Sequence, residues 1–245
     1  MATPSPVGIL PSPGISPIQN VRHESVFNYY GPLQSLLGSK AAKFLSCHTD
    51  AVEVAIGPII ESFISLTQDD CAGGPTKKDS CWLTIRATKP SDSFKVPRWH
   101  QDGRMFACDQ GHEDIVRSKY AVTLCGPPTM MLQPSATTFS TLEAGEKRFF
   151  PWQTTGGAEL ADDEVEQAFD DLRIWLAEQY ETGERVRVGA GEIVRFSWGE
   201  TDSPVHSEPD LTTDRVFMSV LYGSQNELRQ MCEARGVEYG VYSEG

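Results

Sequence analysis

The 245-residue sequence predicts a mainly β fold with flanking helices, a jelly-roll or barrel onto which helices pack. Three observations carry that expectation. Helical periodicity is concentrated near the N-terminus, and short β-rich segments crowd the region from about residue 80 to 223. The two kinds of segment do not alternate strictly, which argues against a parallel α/β sheet.

In chain order, residues 1–20 hold Pro4, Pro6, Pro11, Pro13 and Pro17 among Gly and Ser. Such a stretch offers little apolar area against its ordering entropy, so it reads as a flexible tail. Residues 21–245 read as a single domain whose part from 21 to 68 is helical. Leu33, Leu36, Leu37 and Phe44 recur at near-helical spacing within 31–45, and a second apolar stretch runs from Val52 to Leu66. Asp50 is placed to cap the second stretch, and Gly57-Pro58 to kink or split it. A turn-rich break spans 68–80 around Gly73-Gly74-Pro75. Strands are expected at Trp82 to Thr88, Tyr120 to Cys125, Thr129 to Gln133, Arg185 to Val188, Gly191 to Trp198, Val205 to Ser207 and Arg215 to Tyr222. Between them, 139–160 reads as a loop. A helix opening on Asp162-Asp163-Glu164 carries the stripe Val165, Phe169, Leu172, Trp175, Leu176, with acids favourable to its dipole. Residues 225–235 form a closing helix with Leu228, Met231 and Cys232 inward.

The net charge of −13 argues against broad nucleic-acid or anionic-membrane binding, since both need a basic surface. No apolar run approaches a membrane span and no secretion signal opens the chain, so the expected location is cytoplasmic. The six cysteines, Cys47, Cys71, Cys81, Cys108, Cys125 and Cys232, form no metal-knuckle pairs and read as reduced thiols. Cys71 and Cys81 bracket a loop and are the pair that an oxidising compartment would join.

The chemistry gathers at His100-Gln101-Asp102. On an extended backbone, positions i and i+2 share a face, so imidazole and carboxylate aim at one point. A second His from elsewhere would complete the two-His, one-carboxylate set that leaves coordination positions open on non-haem Fe(II). Of five histidines, His23 is near the tail, His48 precedes a helix and His112 lies in an acidic stretch with Glu113 and Asp114. His206, at the start of a predicted strand, is the best partner. Arg215 opens the last strand, where a guanidinium can hold the distal carboxylate of a small diacid by a two-point bond.

The quartet His100, Asp102, His206 and Arg215 resembles the signature of the iron(II)- and 2-oxoglutarate-dependent dioxygenases, and the strand Gly191 to Phe196 is similar to that family's approach to its second His. The resemblance covers roughly residues 80–223. It implies a double-stranded β-helix core, cupin-like, with Fe(II) held by His100, Asp102 and His206 and the C5 carboxylate of 2-oxoglutarate held by Arg215. Many members place Ser two positions after the Arg. Phe217 stands there in this chain, so Ser219, Tyr120 or Thr123 is left to supply the second hydroxyl. The implied reaction couples decarboxylation of 2-oxoglutarate to succinate and carbon dioxide with oxidation, hydroxylation first among the options, of a small molecule or protein side chain. Trp99, Arg104 and Phe106 beside the motif are candidates for touching that substrate.

Ordinary roles stand beside these. Asp102-Gly103 is a natural turn pair, His206 could bond Glu208 or Asp210, and Arg215 could pair with Asp214 at little energetic gain. Trp99, Arg104 and Phe106 serve equally as packing. Two other functions remain open: a cupin-like metal enzyme that does not use 2-oxoglutarate, and a non-catalytic β-barrel binding module. Prime substrate and oligomeric state are not readable from the sequence.

Overall fold

In the computed structural model of the protein, the described residues are 5–34, 36–71, 78–106, 118–152, 161–199 and 201–245. Seven strands are β1 (Val7–Leu10), β2 (Ser25–Pro32), β3 (Ser80–Thr88), β4 (Ser118–Cys125), β6 (Ile193–Ser197), β8 (Arg215–Gly223) and β9 (Tyr242–Glu244). They form one antiparallel sheet in the order β1-β6-β4-β8-β3-β2-β9, which is not closed. The remaining strands, β5 (Met130–Met131) and β7 (His206–Ser207), pair as a second small sheet. Five helices are described with them: α1 (Leu37–His48), α2 (Glu53–Cys71), α3 (Ala136–Phe149), α4 (Asp162–Gln179) and α5 (Gln225–Arg235). The large sheet is the platform: α1 and α2 pack on one face and α5 against β2, β3 and β8, while α3 and α4 pack on each other, in keeping with the mainly β expectation.

The large sheet has two unlike faces because successive side chains point to opposite sides. Leu83, Ile85, Tyr120, Val122, Val216, Met218, Val220 and Tyr222 are buried in the core beneath α1 and α2, with Phe44, Ile56, Ile60 and Phe63 from the helices. The alternate positions on the same strands, Trp82, Thr84, Arg86, Lys119, Phe217, Ser219 and Leu221, line a cavity on the other face.

A second core lies behind the small sheet. Trp99, Leu132 and Val205 pack there with Leu142 of α3, Leu172 and Leu176 of α4, and Tyr180. Trp99 precedes His100 and Val205 precedes His206, so alternation turns both histidines the other way, toward the cavity. Trp99→Ala should therefore cost about 3–5 kcal/mol of stability, read by chemical denaturation, and loosen the segment that carries His100.

Several expectations need correction. The described part of the tail at 1–20 is not free chain: β1 pairs with β6 at a sheet edge, where prolines are tolerated, and Ile18 is buried in the main core. Asp50 does not cap α2. Its carboxylate accepts from the Gln19 and Asn20 amides at 3.0 and 3.1 Å, fastening that N-terminal stretch. Pro58, the sixth residue of α2, lies inside the helix without splitting it, at the loss of the one i→i−4 bond its missing N–H would have made to the Val54 carbonyl. Helix α1 begins at Leu37, because Gly31 and Pro32 finish β2. Much of the stretch read as a loop at 139–160 is helix α3, and no strand forms at 185–188 beyond a single bridge from Arg185 to Leu132. Cys71 and Cys81, by contrast, are both free thiols, in agreement with the reading of the cysteines as reduced. The His112 cluster, Cys108 and the Gly73-Gly74-Pro75 turn lie outside the described residues.

Candidate metal centre

His100 and His206 face each other across an antiparallel bridge. His100 N donates to the His206 carbonyl at 3.0 Å, and His206 N donates to the His100 carbonyl at 2.9 Å. A reciprocal pair of this kind sets the two side chains next to each other on one face, and the ring centroids are 4.4 Å apart. Asp102, two residues further, returns to that face. Its backbone carbonyl accepts from Gly199 N at 2.9 Å, and Gln101 Nε2 donates to the Thr201 and Ser203 carbonyls, so the 199–206 segment is laced to the motif.

The ligand-bearing atoms converge. Asp102 Oδ1 is 3.9 Å from His100 Nε2 and 3.8 Å from His206 Nε2, and one ligand atom from each of the three residues lies within 4.8 Å of the others. With sides of 3.9 and 3.8 Å and a third of at most 4.8 Å, the point equidistant from the corners is roughly 2.2–2.5 Å from each, near the ~2.0–2.2 Å of metal–nitrogen and metal–oxygen bonds. Both histidines are held by their far nitrogens: Nδ1 of His100 is 2.8 Å from the Arg98 carbonyl, and Nδ1 of His206 is 3.1 Å from the Pro204 carbonyl. A carbonyl accepts only, so each Nδ1 carries the proton and each Nε2 presents a lone pair, as a metal requires. Among the described residues, this is the one group of three or more His, Cys, Asp or Glu that could hold a metal ion.

Charge is managed by Lys119. Its Nζ sits 3.0 Å from Asp102 Oδ2, leaving Oδ1 to the histidine side. Burial pushes the Asp102 carboxyl up, but the Lys119 ammonium and the neighbouring imidazoles outweigh it and hold the carboxyl below its usual value. Burial and the adjacent His100 push His206 down to about 4. A folded-state value below the ordinary ~6.5 means that the unfolded chain takes up this proton first. The metal-free fold should then lose stability as pH falls from about 6.5 to about 4, on the order of a few kcal/mol. His206→Gln should flatten that part of a denaturation-against-pH curve.

Arg215 lines the same cavity, which has a volume of about 260 Å³. Arg215 as a residue is nearly buried, with 5% exposed. Nε donates to the Pro127 carbonyl and Nη2 to Thr129 Oγ1, both at 3.0 Å, and the group lies 4.7 Å from the Phe217 ring centroid. Gly126 makes the approach possible: its φ is +81°, and an added Cβ would strike the Asp214 carbonyl oxygen. No carboxylate forms an ion pair with Arg215 among the described residues. Asp214, its expected partner, accepts from Val21 N at 2.7 Å instead, and Glu208 bonds Arg98 at 2.9 Å. Burial lowers the guanidinium to about 10, which still leaves it charged at neutral pH.

The other sequence candidates separate by strand parity. Ser219 is buried and lines the cavity beside Phe217. Tyr120 lies on the opposite face, its hydroxyl donating to Asp70 Oδ2 at 2.8 Å. Thr123 has the right parity but lines a neighbouring crevice with Pro128, Val188 and Val194. Trp99 is in the second core, Phe106 packs edge-on against Trp198 at 5.3 Å, and Arg104 does not line the cavity, whereas Met105 does. Sequence reasoning missed Lys119, Thr129, Arg98 and Glu208. Lys119 was one position from a candidate already named; Arg98 and Glu208 sit two residues from His100 and His206 and so share their face.

Comparison with protein-family models, with curated proteins and with solved structures finds no match to this chain. The mostly antiparallel sheet and the His100–Asp102–His206 group fit a cupin-like fold. No helix among the described residues is long and apolar enough to cross a membrane.

Proposed function

We propose that the protein is a mononuclear metal enzyme in which His100, Asp102 and His206 bind one face of a divalent cation. Within that class, the reading best supported is a non-haem Fe(II) oxygenase that uses 2-oxoglutarate and dioxygen, its two sheets being the halves of a double-stranded β-helix. The observation that carries the cosubstrate is Arg215: a nearly buried cation in the metal-site cavity that forms no ion pair among the described residues, the charge of Glu208, itself bonded to Arg98, acting on it without direct contact. A buried charge is costly unless paired, so a ligand carboxylate is the natural partner.

Iron with 2-oxoglutarate would supply the activation of dioxygen and, through decarboxylation to succinate and carbon dioxide, the oxidising power for a C–H bond. The protein's part is placement. His100 and His206 offer Nε2, and Asp102 offers Oδ1 while Lys119 occupies Oδ2, which favours one-point ligation and leaves more positions for ligands. Arg215 would grip the distal carboxylate through its remaining N–H groups. The hydroxyl of Thr129, already accepting from Arg215, would turn its own proton to the same carboxylate, in the role that Ser219, Tyr120 and Thr123 were expected to fill. Phe196, Phe217 and Leu221 give the cavity apolar walls.

The test is calorimetric titration with Mn(II) and then 2-oxoglutarate, alongside an assay of succinate formation with Fe(II), dioxygen and ascorbate. One metal per chain and metal-dependent binding of 2-oxoglutarate are expected, whether or not turnover occurs without the prime substrate. Metal binding without 2-oxoglutarate binding would replace this reading with a cupin-like metal enzyme. Binding of neither would leave a binding module.

A further inference from the structure

We propose that the same cavity takes a prime substrate bearing an anionic group, a carboxylate or a phosphate monoester, received by Arg235 and Arg86 on the β3 side. The substrate role rests on the oxygenase reading above; the anion site does not.

The argument is one of charge. Five cationic side chains line the cavity, Arg86, Arg98, Lys119, Arg215 and Arg235, against two carboxylates, Asp102 and Glu208. That balance is the reverse of the chain's own, which is −13. Arg98 is neutralised by Glu208 at 2.9 Å and Lys119 by Asp102 at 3.0 Å. Arg215 is committed to the diacid. Arg86 and Arg235 are left, and neither forms an ion pair with a carboxylate among the described residues.

Arg235 is also held in place. It ends α5, and its guanidinium carbon lies 4.4 Å from the ring centroid of Trp82. Trp82 in turn stacks on Tyr30 with centroids 5.2 Å apart and planes 15° from parallel. Stacking occupies one face of the guanidinium and the Tyr30 hydroxyl bonds part of its edge, which leaves its remaining N–H groups to bond an oxyanion. Arg86 follows on β3, with the same parity as Trp82. Both arginines are exposed at the cavity mouth, where like-signed charge raises the arrival rate of an anion as well as its affinity.

The register gives a length. Trp82 and Lys119 are both opposite Leu221, so they lie two strands apart, about 10 Å at the usual strand spacing. Lys119 bonds Asp102 and Arg235 stacks on Trp82, so a substrate spanning this row bridges a backbone separation of that order between the arginine side and the metal side. Leu221, Met105 and Phe196 are apolar along that path. The class is therefore an acid with an aryl or acyl body.

The experiment uses the full chain, both metal-free and loaded with Mn(II) and saturating 2-oxoglutarate. The probes are 3-(2-naphthyl)propanoate, its primary amide and 2-naphthyl phosphate, followed by calorimetry and naphthyl fluorescence. The acid or the phosphate should bind at least about tenfold more tightly than the amide, and the stronger of the two identifies the headgroup. Arg235→Gln and Arg86→Gln should each weaken that anion by about tenfold while leaving amide and Mn(II) affinity unchanged. The proposal is overturned if the amide binds as well as the anions, if neither anion binds, or if both variants bind the anion as the unaltered protein does. Anion binding that persists in a protein binding neither Mn(II) nor 2-oxoglutarate would keep the site and remove the oxygenase reading alone.

Discussion

Asp102→Ala is expected to lower Mn(II) or Fe(II) affinity by at least about a hundredfold. Oδ1 of this carboxylate is the corner that faces both histidine Nε2 atoms, and without it two neutral imidazoles remain to hold a dication. The same substitution strands Lys119, whose side chain is 20% exposed and whose ion-pair partner is Asp102. Leaving a mostly buried charge without its partner costs about 3–5 kcal/mol, so the single variant should also unfold at lower denaturant. The two losses can be separated. Asp102→Ala with Lys119→Met removes both charges and should recover much of the stability while metal affinity stays lost. Calorimetry and denaturation on the two variants would measure this. Metal affinity unchanged in Asp102→Ala would end the metal-centre assignment.

Arg215→Met is expected to weaken 2-oxoglutarate binding by about a hundredfold or more, the effect of removing charge-assisted bonds to a buried carboxylate. Metal affinity should change little, since the guanidinium contacts Pro127, Thr129 and Phe217 and none of the three candidate ligands. Stability distinguishes the readings. A guanidinium kept for structure would be missed when removed. One kept charged and unpaired for a ligand is a burden on the ligand-free fold, and an apolar replacement of similar length should alter stability by less than about 1 kcal/mol. Normal binding of 2-oxoglutarate by a destabilised Arg215→Met protein would reassign the residue to structure.

The sequence made the centre of the site legible because its logic is local or eliminative. The i, i+2 relation of His100 and Asp102 needs an extended backbone only, and His206 follows from the unsuitable surroundings of the other histidines. What joins them, the reciprocal bridge between residues 100 and 206, is a tertiary pairing with no sequence signal. Tyr120 was misplaced for a related reason: periodicity says that neighbours alternate, but not which set meets the helices; Thr123 has the right parity and opens instead on the neighbouring crevice. The fold was less legible where an element borrows its stability. Helix α3 buries Leu142 and Gly145, the latter against Leu172 and Trp175 of α4, and its Thr- and Ser-rich face resembles a loop. Strand β1 is short, sits among prolines and exists through its pairing with β6. Strand β2 ends in Gly31-Pro32, which reads more readily as the entry to a helix.

Strand β8 serves two masters: Val216, Met218, Val220 and Tyr222 belong to the oily interior, while Arg215, Phe217, Ser219 and Leu221 belong to the chamber opposite. Insertion or deletion of one residue midway along it would exchange those memberships for every position beyond the change. Chemistry and foldability would then fail in the same stroke. Natural variation in this strand should accordingly be confined to substitutions, with changes in length displaced to the connecting segments.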